Sequence, residues 1–329
     1  MSAPLRSTAR RVAARLPEPL VDAARLAQAR RLQTRLRRSA AVRGAALVLH
    51  AVAPSGGDPD VEIDPPLAAE RLDAAAAYLA AHYRVVRARE LVDAAHGRRR
   101  GQRVPVAITF DDDLASHQEL AAPILNRHGI VATAFVCGGG RPFWWQLLQV
   151  AVDRQAVDAA GLAPLDGELV EDALQRRPGA IAKLAQEIEG LSPAQRDLIA
   201  ARLRSVVDPP PQLSAEARAR LAAAGWEIGF HTRRHDLLTT LDDEALHAAL
   251  EDGRDAIGAV TARTFAYPHG KAGERERLAA REAGYVAAYT GRPEVLTERT
   301  DAHLIGRLQP DHATLGRFAL QLARALSAP

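Results

Sequence analysis

Val106-Ala107-Ile108-Thr109-Phe110-Asp111-Asp112-Asp113 joins a buried-type apolar run to three consecutive carboxylates. Such a run reads as a strand whose carboxyl end delivers acids to the rim of a site. Three adjacent carboxylates repel one another, so a solvated loop or a bound cation must relieve them. Alone, the segment reads first as an acidic turn after a strand. A second signal follows about 120 residues later, where Gly229-Phe230-His231-Thr232-Arg233-Arg234-His235 again closes a short apolar stretch. Two histidines four apart and one aspartate make a set of two nitrogens and one oxygen. That set leaves a metal coordination position open for water, as a hydrolytic site requires.

A third segment, Thr264-Phe265-Ala266-Tyr267-Pro268-His269-Gly270, is another strand ending in a Pro/Gly loop. In this order, T-F-D-D, H-T-x-x-H and F-x-Y-P-x-G resemble the polysaccharide deacetylase (NodB-homology) family, carbohydrate esterase family 4. Smaller agreements surround them at Ala121-Ala122-Pro123-Ile124-Leu125, Ala132-Thr133-Ala134-Phe135-Val136 and Gly225-Trp226-Glu227-Ile228-Gly229. The resemblance runs from about Ala45 to about Gln309, with a looser middle.

The resemblance implies a distorted (β/α)7-type barrel with its site at the carboxyl ends of the strands. It also implies roles. Asp112, His231 and His235 would hold a divalent metal, and Asp111 would act as base towards the attacking water. A backbone N–H in the Tyr267-Pro268-His269-Gly270 loop would stabilise the oxyanion, and His269 is the choice because Pro268 has no N–H. Tyr267 and Pro268 are expected against the substrate. No clear counterpart of the family's C-terminal acid histidine follows Gly291, and His303 and His312 match poorly. Leu47-Val48-Leu49-His50-Ala51-Val52, however, resembles the Y-H-x-V segment of poly-N-acetylglucosamine deacetylases, whose acid motif is permuted to the front of the domain. His50 is therefore expected to be the acid.

The sequence departs from the family pattern at four places. Asp113 stands where glycine is usual, Leu49 replaces a tyrosine before His50, and His269 replaces the tyrosine of Y-P-Y-G. The arginine that many members place three residues before that tyrosine, to hold the base, is Ala266 here. Arg307 or Arg263 could stand in for it, and Arg307 is also a candidate substrate-binding residue.

From Ala45 onward, strand candidates at 45–50, 83–87, 104–110, 130–137, 226–230, 263–267, 285–290 and 303–308 alternate with Ala-rich helices such as Leu67 to Ala81 and Glu244 to Val260. This alternation implies an α/β fold with parallel strands joined by crossovers. Residues 138–225 are long for the family, and a helical insertion is expected at about 141–213. It opens with Arg141-Pro142-Phe143-Trp144-Trp145. The aromatics are either hydrophobic anchors or, through Trp144 and Trp145, a wall facing a sugar or acyl group.

Residues 1–43 carry eleven arginines against Glu18 and Asp22, a net +9 that leaves −6 for the rest of a chain at +3 overall. Leu16, Leu20, Leu26, Leu32 and Leu36 recur there at roughly helical spacing. The organisation expected is a basic helical arm (1–43) before the deacetylase domain (44–329). The arm reads as a helix packed on the domain, a disordered tail, or a peripheral contact with anionic lipid. Nucleic acid is disfavoured, since no base-stacking aromatics accompany the arginines. No apolar run approaches the ~18 residues of a membrane span, and no secretory signal is recognisable. The single cysteine, Cys137, excludes an intramolecular disulfide. A cytoplasmic location, with a possible membrane-peripheral contact, is the resulting expectation.

The expected function is metal-dependent removal of acetyl groups, most readily from N-acetylhexosamine in a surface glycan or its precursor. Zinc is the expected metal, and nickel, cobalt or manganese would also suit two histidines and a carboxylate. Alternatives are an O-acetyl esterase, an amidase acting on other molecules, and a catalytically silent glycan-binding protein.

Overall fold

The computed structural model describes residues 17–138, 143–257 and 262–328. At its centre lies strand β3 (Pro105–Asp111), all seven residues of which are buried. Burial on both faces explains why this strand reads as a continuous apolar run rather than an alternation. Around it stand β1 (Ala45–Leu49), β2 (Arg84–Val86), β4 (Thr133–Val136), β5 (Glu227–Phe230), β6 (Thr264–Ala266), β7 (Ala287–Tyr289) and β8 (Arg307–Leu308). Each of the eight strand candidates overlaps one of these strands.

The hydrogen-bonded order is β8-β1-β3-β4-β5-β6-β7, all parallel, and β2 pairs with the first half of β3. Tyr289 pairs with Ile305, and the Thr290 N–H donates to the Ile305 carbonyl at 2.7 Å, so the ring nearly closes. Consecutive pairs run through connecting helices, as parallel pairing demands. The acids, the histidines and the Pro/Gly loop all leave the same end of the ring.

The outer helices include α1 (Glu18–Arg38), α2 (Ala69–His82), α3 (Leu91–His96) and α4 (Ala122–Arg127). Between β4 and β5 come α5 (Trp144–Asp153), α6 (Gly167–Leu174), α7 (Ala180–Glu189), α8 (Pro193–Val206) and α9 (Ala215–Ala223). The remainder are α10 (Asp243–Glu251), α11 (Glu274–Glu282) and α12 (Leu315–Ser327). The helix expected from Glu244 to Val260 ends at Glu251, and its residues 258–260 lie outside the described residues.

Helices α5 to α8, within the segment where an insertion is expected, have a core of their own, built on residues such as Leu147, Leu148, Val170, Leu184 and Leu203. Arg141 and Pro142, at its expected start, lie outside the described residues. The barrel core is a separate cluster.

From Glu18 onward the basic arm is a packed helix that shares the barrel's core. Ala29 and Leu36 are buried, Leu26 and Leu32 pack on the same cluster, and the Gln33 amide donates to the Tyr78 and Tyr83 hydroxyls. Its leucine face is thus turned inward, with Leu20 an exposed exception, while Arg30, Arg31, Arg35 and Arg38 are exposed. Residues 1–16, including Leu16, lie outside the described residues. Among the described residues no helix is long and apolar enough to cross a membrane.

Candidate active site

The carboxyl end of β3 ends its pairing at Asp111, and the next residue turns sharply. Asp112 has φ 67, and Thr232, His235 and His269 have φ 56, 54 and 56. Left-handed backbone at residues with a Cβ costs on the order of 1–3 kcal/mol each and persists only where surrounding structure enforces it. Four such residues, from the loops after β3, β5 and β6, meet at one place.

Asp112, His231 and His235 offer ligand atoms that all lie within 4.8 Å of one another. Asp112 Oδ1 is 3.8 Å from His231 Nε2 and 3.7 Å from His235 Nε2. His231 Nδ1 donates to the Ala266 carbonyl at 2.7 Å, which leaves its Nε2 as a lone pair facing the carboxylates. Burial pushes the His231 imidazole down to about 4, and that of His235 well below its usual value. Both rings are therefore neutral and able to ligate near pH 7. Asp112 Oδ1 is buried without a hydrogen-bond partner. Burial, joined by the charges of Asp111, Asp64 and Asp113, pushes its carboxyl up to about 7. An orphaned buried carboxylate oxygen facing two neutral imidazoles is a donor set that fits a divalent cation.

Asp111, the expected base, is 3% exposed and is held by Arg307, 3% exposed, whose guanidinium reaches its Oδ1 at 2.6 Å. Arg307 also donates to the Thr290 carbonyl at 3.1 Å and to Thr109 Oγ1 at 3.3 Å, which fixes its fork. Burial alone would raise the Asp111 carboxyl. Arg307, aided by His231, outweighs it and holds the group down to about 2. Arg307 therefore supplies the cation that Ala266 cannot. Its guanidinium is bonded to Asp111, and Arg307 also borders the cavity at the site.

His50 follows β1 and faces Asp64, with His50 Nδ1 3.7 Å from Asp64 Oδ1 and the imidazole 29% exposed. Burial works to lower the His50 pKa, but Asp64, Asp112 and Asp111 together raise it above its usual value. Beneath it, His117 Nε2 bonds the His50 carbonyl at 3.2 Å, and Ser116 Oγ accepts from the Val52 N–H at 3.2 Å. Asp113, in the usual glycine position, accepts from the Cys137 and Gly138 N–H groups at 3.1 and 3.0 Å. It points away from the ligands and ties β4's end to the acidic loop.

His269 sits beside His235, ring centroids 4.6 Å apart, and its Nε2 lies 3.2 Å from Glu189 Oε1 at the end of α7. The other end of α7 is tied down by the Gly179 N–H, which donates to the Asp60 carbonyl at 2.7 Å. This helix thus crosses from the His50–Asp64 side to the His269 side, over a cavity of about 800 Å³. Trp144 and Trp145 line that cavity, and the Trp145 ring lies 4.7 Å from His235 and 4.4 Å from Phe143. Tyr267 and Pro268 do not reach the cavity. Tyr267 is fully buried and its hydroxyl donates to the His303 carbonyl at 2.9 Å, while Pro268 is buried beside it, so their expected substrate contact is corrected. An aromatic ring in a strand packed against the core goes inward; the loop after it turns outward only at His269.

Two cavity residues went unrecognised in the sequence. Asp64 sits in a Pro-rich loop as the last of four alternating acids, after Asp58, Asp60 and Glu62. Glu189 ends an amphipathic helix like any solvated carboxylate. Neither carries a motif.

Residues 204–288 match the family model described as polysaccharide deacetylase, a span that holds the histidine pair and the Pro/Gly loop. A comparison with curated protein sequences found no match. Among solved structures, the Streptococcus pyogenes deacetylase PplD in complex with acetate is similar at TM-score 0.59 and 14% identity, covering 88% of this chain and all of its own, 100%. IcaB from Ammonifex degensii is similar at TM-score 0.53 and 20% identity, over 87% of this chain and 97% of that one. A de-N-acetylase from Aggregatibacter actinomycetemcomitans gives TM-score 0.51 and 16% identity, over 83% and 96%. At such identities the likeness speaks for the fold. The nearly closed parallel barrel is thus the fold of these deacetylases, and residues 204–288 are similar to the polysaccharide deacetylase model.

Proposed function

We propose that this protein is a metal-dependent deacetylase that removes the N-acetyl group of a hexosamine unit in a glycan or glycan precursor. The observation that carries the reading is the convergence of Asp112, His231 and His235, with a buried, unpartnered Asp112 Oδ1 between two neutral imidazoles. These three residues would hold the cation, with zinc the first choice by ligand type. When bound, a divalent cation supplies Lewis acidity, which acidifies water and polarises an acyl carbonyl.

The remaining steps belong to the chain's own groups. Asp111 is ionised across the physiological range and buried, so it can take a proton from an attacking water once bulk solvent is excluded. Arg307 keeps it anionic and fixes its orientation. The His269 N–H, in a left-handed turn beside His235, would donate to a developing oxyanion. His50, its imidazolium favoured by Asp64, can deliver a proton to the departing amine. An amine is a poor leaving group without that proton, whereas an activated ester is not.

The test pairs metal analysis with acetate release. The purified protein should hold about one divalent ion per chain, and Asp112→Ala, His231→Ala and His235→Ala should each lose it. Asp111→Asn should keep the ion and lose at least ~100-fold in acetate release from N-acetylhexosamine oligomers. His50→Ala should lose more on amide than on activated ester substrates. Full metal occupancy in all three alanine variants would sink the mechanism.

A further inference from the structure

We propose that the substrate sugar carries a phosphate: Lys271 and Arg292 form an anion pocket beside the reaction site that fits a phosphomonoester of the hexosamine. The inference rests on the deacetylation reading and deepens it. Beyond His269 lies a second, open pocket of about 670 Å³, lined in part by Thr239, Lys271, Arg275 and Arg292. It shares His269, Gly270 and Gly291 with the cavity that holds Asp111 and the histidine pair.

Charge sets the sign of its ligand. Arg275 and Glu276 also border the pocket, but they cancel: Glu276 is buried with its carboxylate 2.9 Å from the Arg275 guanidinium. Arg275 spends its other donors on the Leu241 and Leu238 carbonyls, at 2.8 and 3.0 Å. Lys271 and Arg292 are exposed, and among the described residues neither forms an ion pair with a carboxylate. Arg292 donates to the Ala272 carbonyl at 3.0 Å, which draws its guanidinium onto the loop that bears Lys271. Two cations without counterions match a phosphomonoester, which carries about −1.5 to −2 near pH 7. The ammonium is a point charge and the guanidinium a planar fork, and both bind phosphate oxygens well. A carboxylate would leave one of the two charges unanswered.

The ridge between the two pockets is bare backbone. The Gly291 N–H donates to the Gly270 carbonyl at 2.9 Å, and a Cβ on Gly270 would stand 2.5 Å from the Gly291 Cα. Gly270 also has φ +64, so this close approach suits glycine alone. With no side chain on the ridge, a sugar lying at His269 can extend a phosphate across it to Lys271 and Arg292.

The experiment measures kcat/KM for acetate release from N-acetylglucosamine, its 6-phosphate, its 1-phosphate, and an N-acetylglucosamine linked to glucuronate. Calorimetry follows binding of glucose, glucose 6-phosphate and glucose 1-phosphate, which have no acetyl group to lose. An exposed charge pair is worth up to about five-fold, so two cations predict a preference of roughly 30-fold for one phosphorylated sugar over the neutral one. Salt should shrink that preference. Lys271→Met and Arg292→Met should each cut it about five-fold, Lys271→Arg should keep most of it, and all three should retain bound metal. Equal kcat/KM and equal binding of neutral and phosphorylated sugars would overturn the proposal. So would a preference that survives the double methionine variant, because the phosphate would then be held elsewhere. A gain with glucuronate as large as with phosphate would overturn the choice of phosphate. Absence of acetate from every sugar, with phosphate-dependent binding that needs Lys271 and Arg292, keeps the pocket and sinks deacetylation. Absence of both acetate release and phosphate-dependent binding sinks the two together.

Discussion

Arg307 shows how one side chain sets the chemistry of another. The carboxyl of Asp111 is buried and would ordinarily resist ionisation, yet a guanidinium 2.6 Å away holds it down to about 2. A base must be deprotonated to work, so Asp111 is competent at every pH above that value and sets no acid limb in the accessible range. Replacing Arg307 by Met leaves burial opposed only by weaker partners, and the carboxyl pKa rises. The expected result is a new acid limb, with kcat/KM at pH 5 falling at least ~10-fold relative to pH 8, one decade for each pKa unit the limb climbs past pH 5. Arg307→Lys retains the charge but not the fork, and should lie between. A pH–rate profile superimposable on that of the native protein would refute this role. The sequence announced the need for such a cation, through Ala266 in the arginine position. It left Arg263 and Arg307 as equals, because only the closure of the ring brings β8 next to β1 and so to Asp111's strand.

Among the elements, the insertion is the one most separable from the barrel. Helices α5 to α8 bury their apolar faces in a core of their own, with Leu184 of α7 fully buried. Ties to the barrel are local: Gly179 to Asp60, Gln149 Oε1 from the Ile63 N–H at 2.9 Å, Glu189 to His269, Arg234 to Asp197 at 3.0 Å, the Trp145 ring on His235, and Ile63 packed on the insertion's core. Leu184→Ala should therefore cost about 2–5 kcal/mol within this core. Hydrogen exchange should speed up across residues 144–206 and stay slow in β3, because local openings follow contiguous units. Uniform acceleration through the barrel would mean that the two cores open as one. Trp144 and Trp145 belong to this element, and its packing, rather than any barrel motif, brings them to the cavity.

At the scale of the whole molecule, stability should carry the mark of its buried histidines. His117 is fully buried, and burial pushes its imidazole down to about 3. The unfolded chain takes up that proton near pH 6.5 while the folded chain refuses it. Stability from this group is thus complete above pH 6.5 and is lost as pH falls towards 3. Between pH 7 and pH 5 the loss amounts to roughly 2 kcal/mol. His117→Gln can keep a donor for the His50 carbonyl and has no proton to refuse. Urea unfolding at the two pH values should show a smaller acid loss in that variant by about the same amount; identical losses would count against it. What the sequence determined by itself was set by local pattern. Continuous apolar runs specified the parallel strands, and each motif adjoined a strand end, so Asp111, Asp112, His231 and His235 were legible because a parallel ring must present all its carboxyl ends on one side. What the tertiary structure decided was distance between segments with no local signature: Arg307 against Asp111, Asp64 against His50, Glu189 against His269, and Tyr267 turned into the core. These pairings depend on which strands become neighbours when the ring closes and on how the insertion packs. That is a property of the summed burial of the chain, and no window of a few residues contains it.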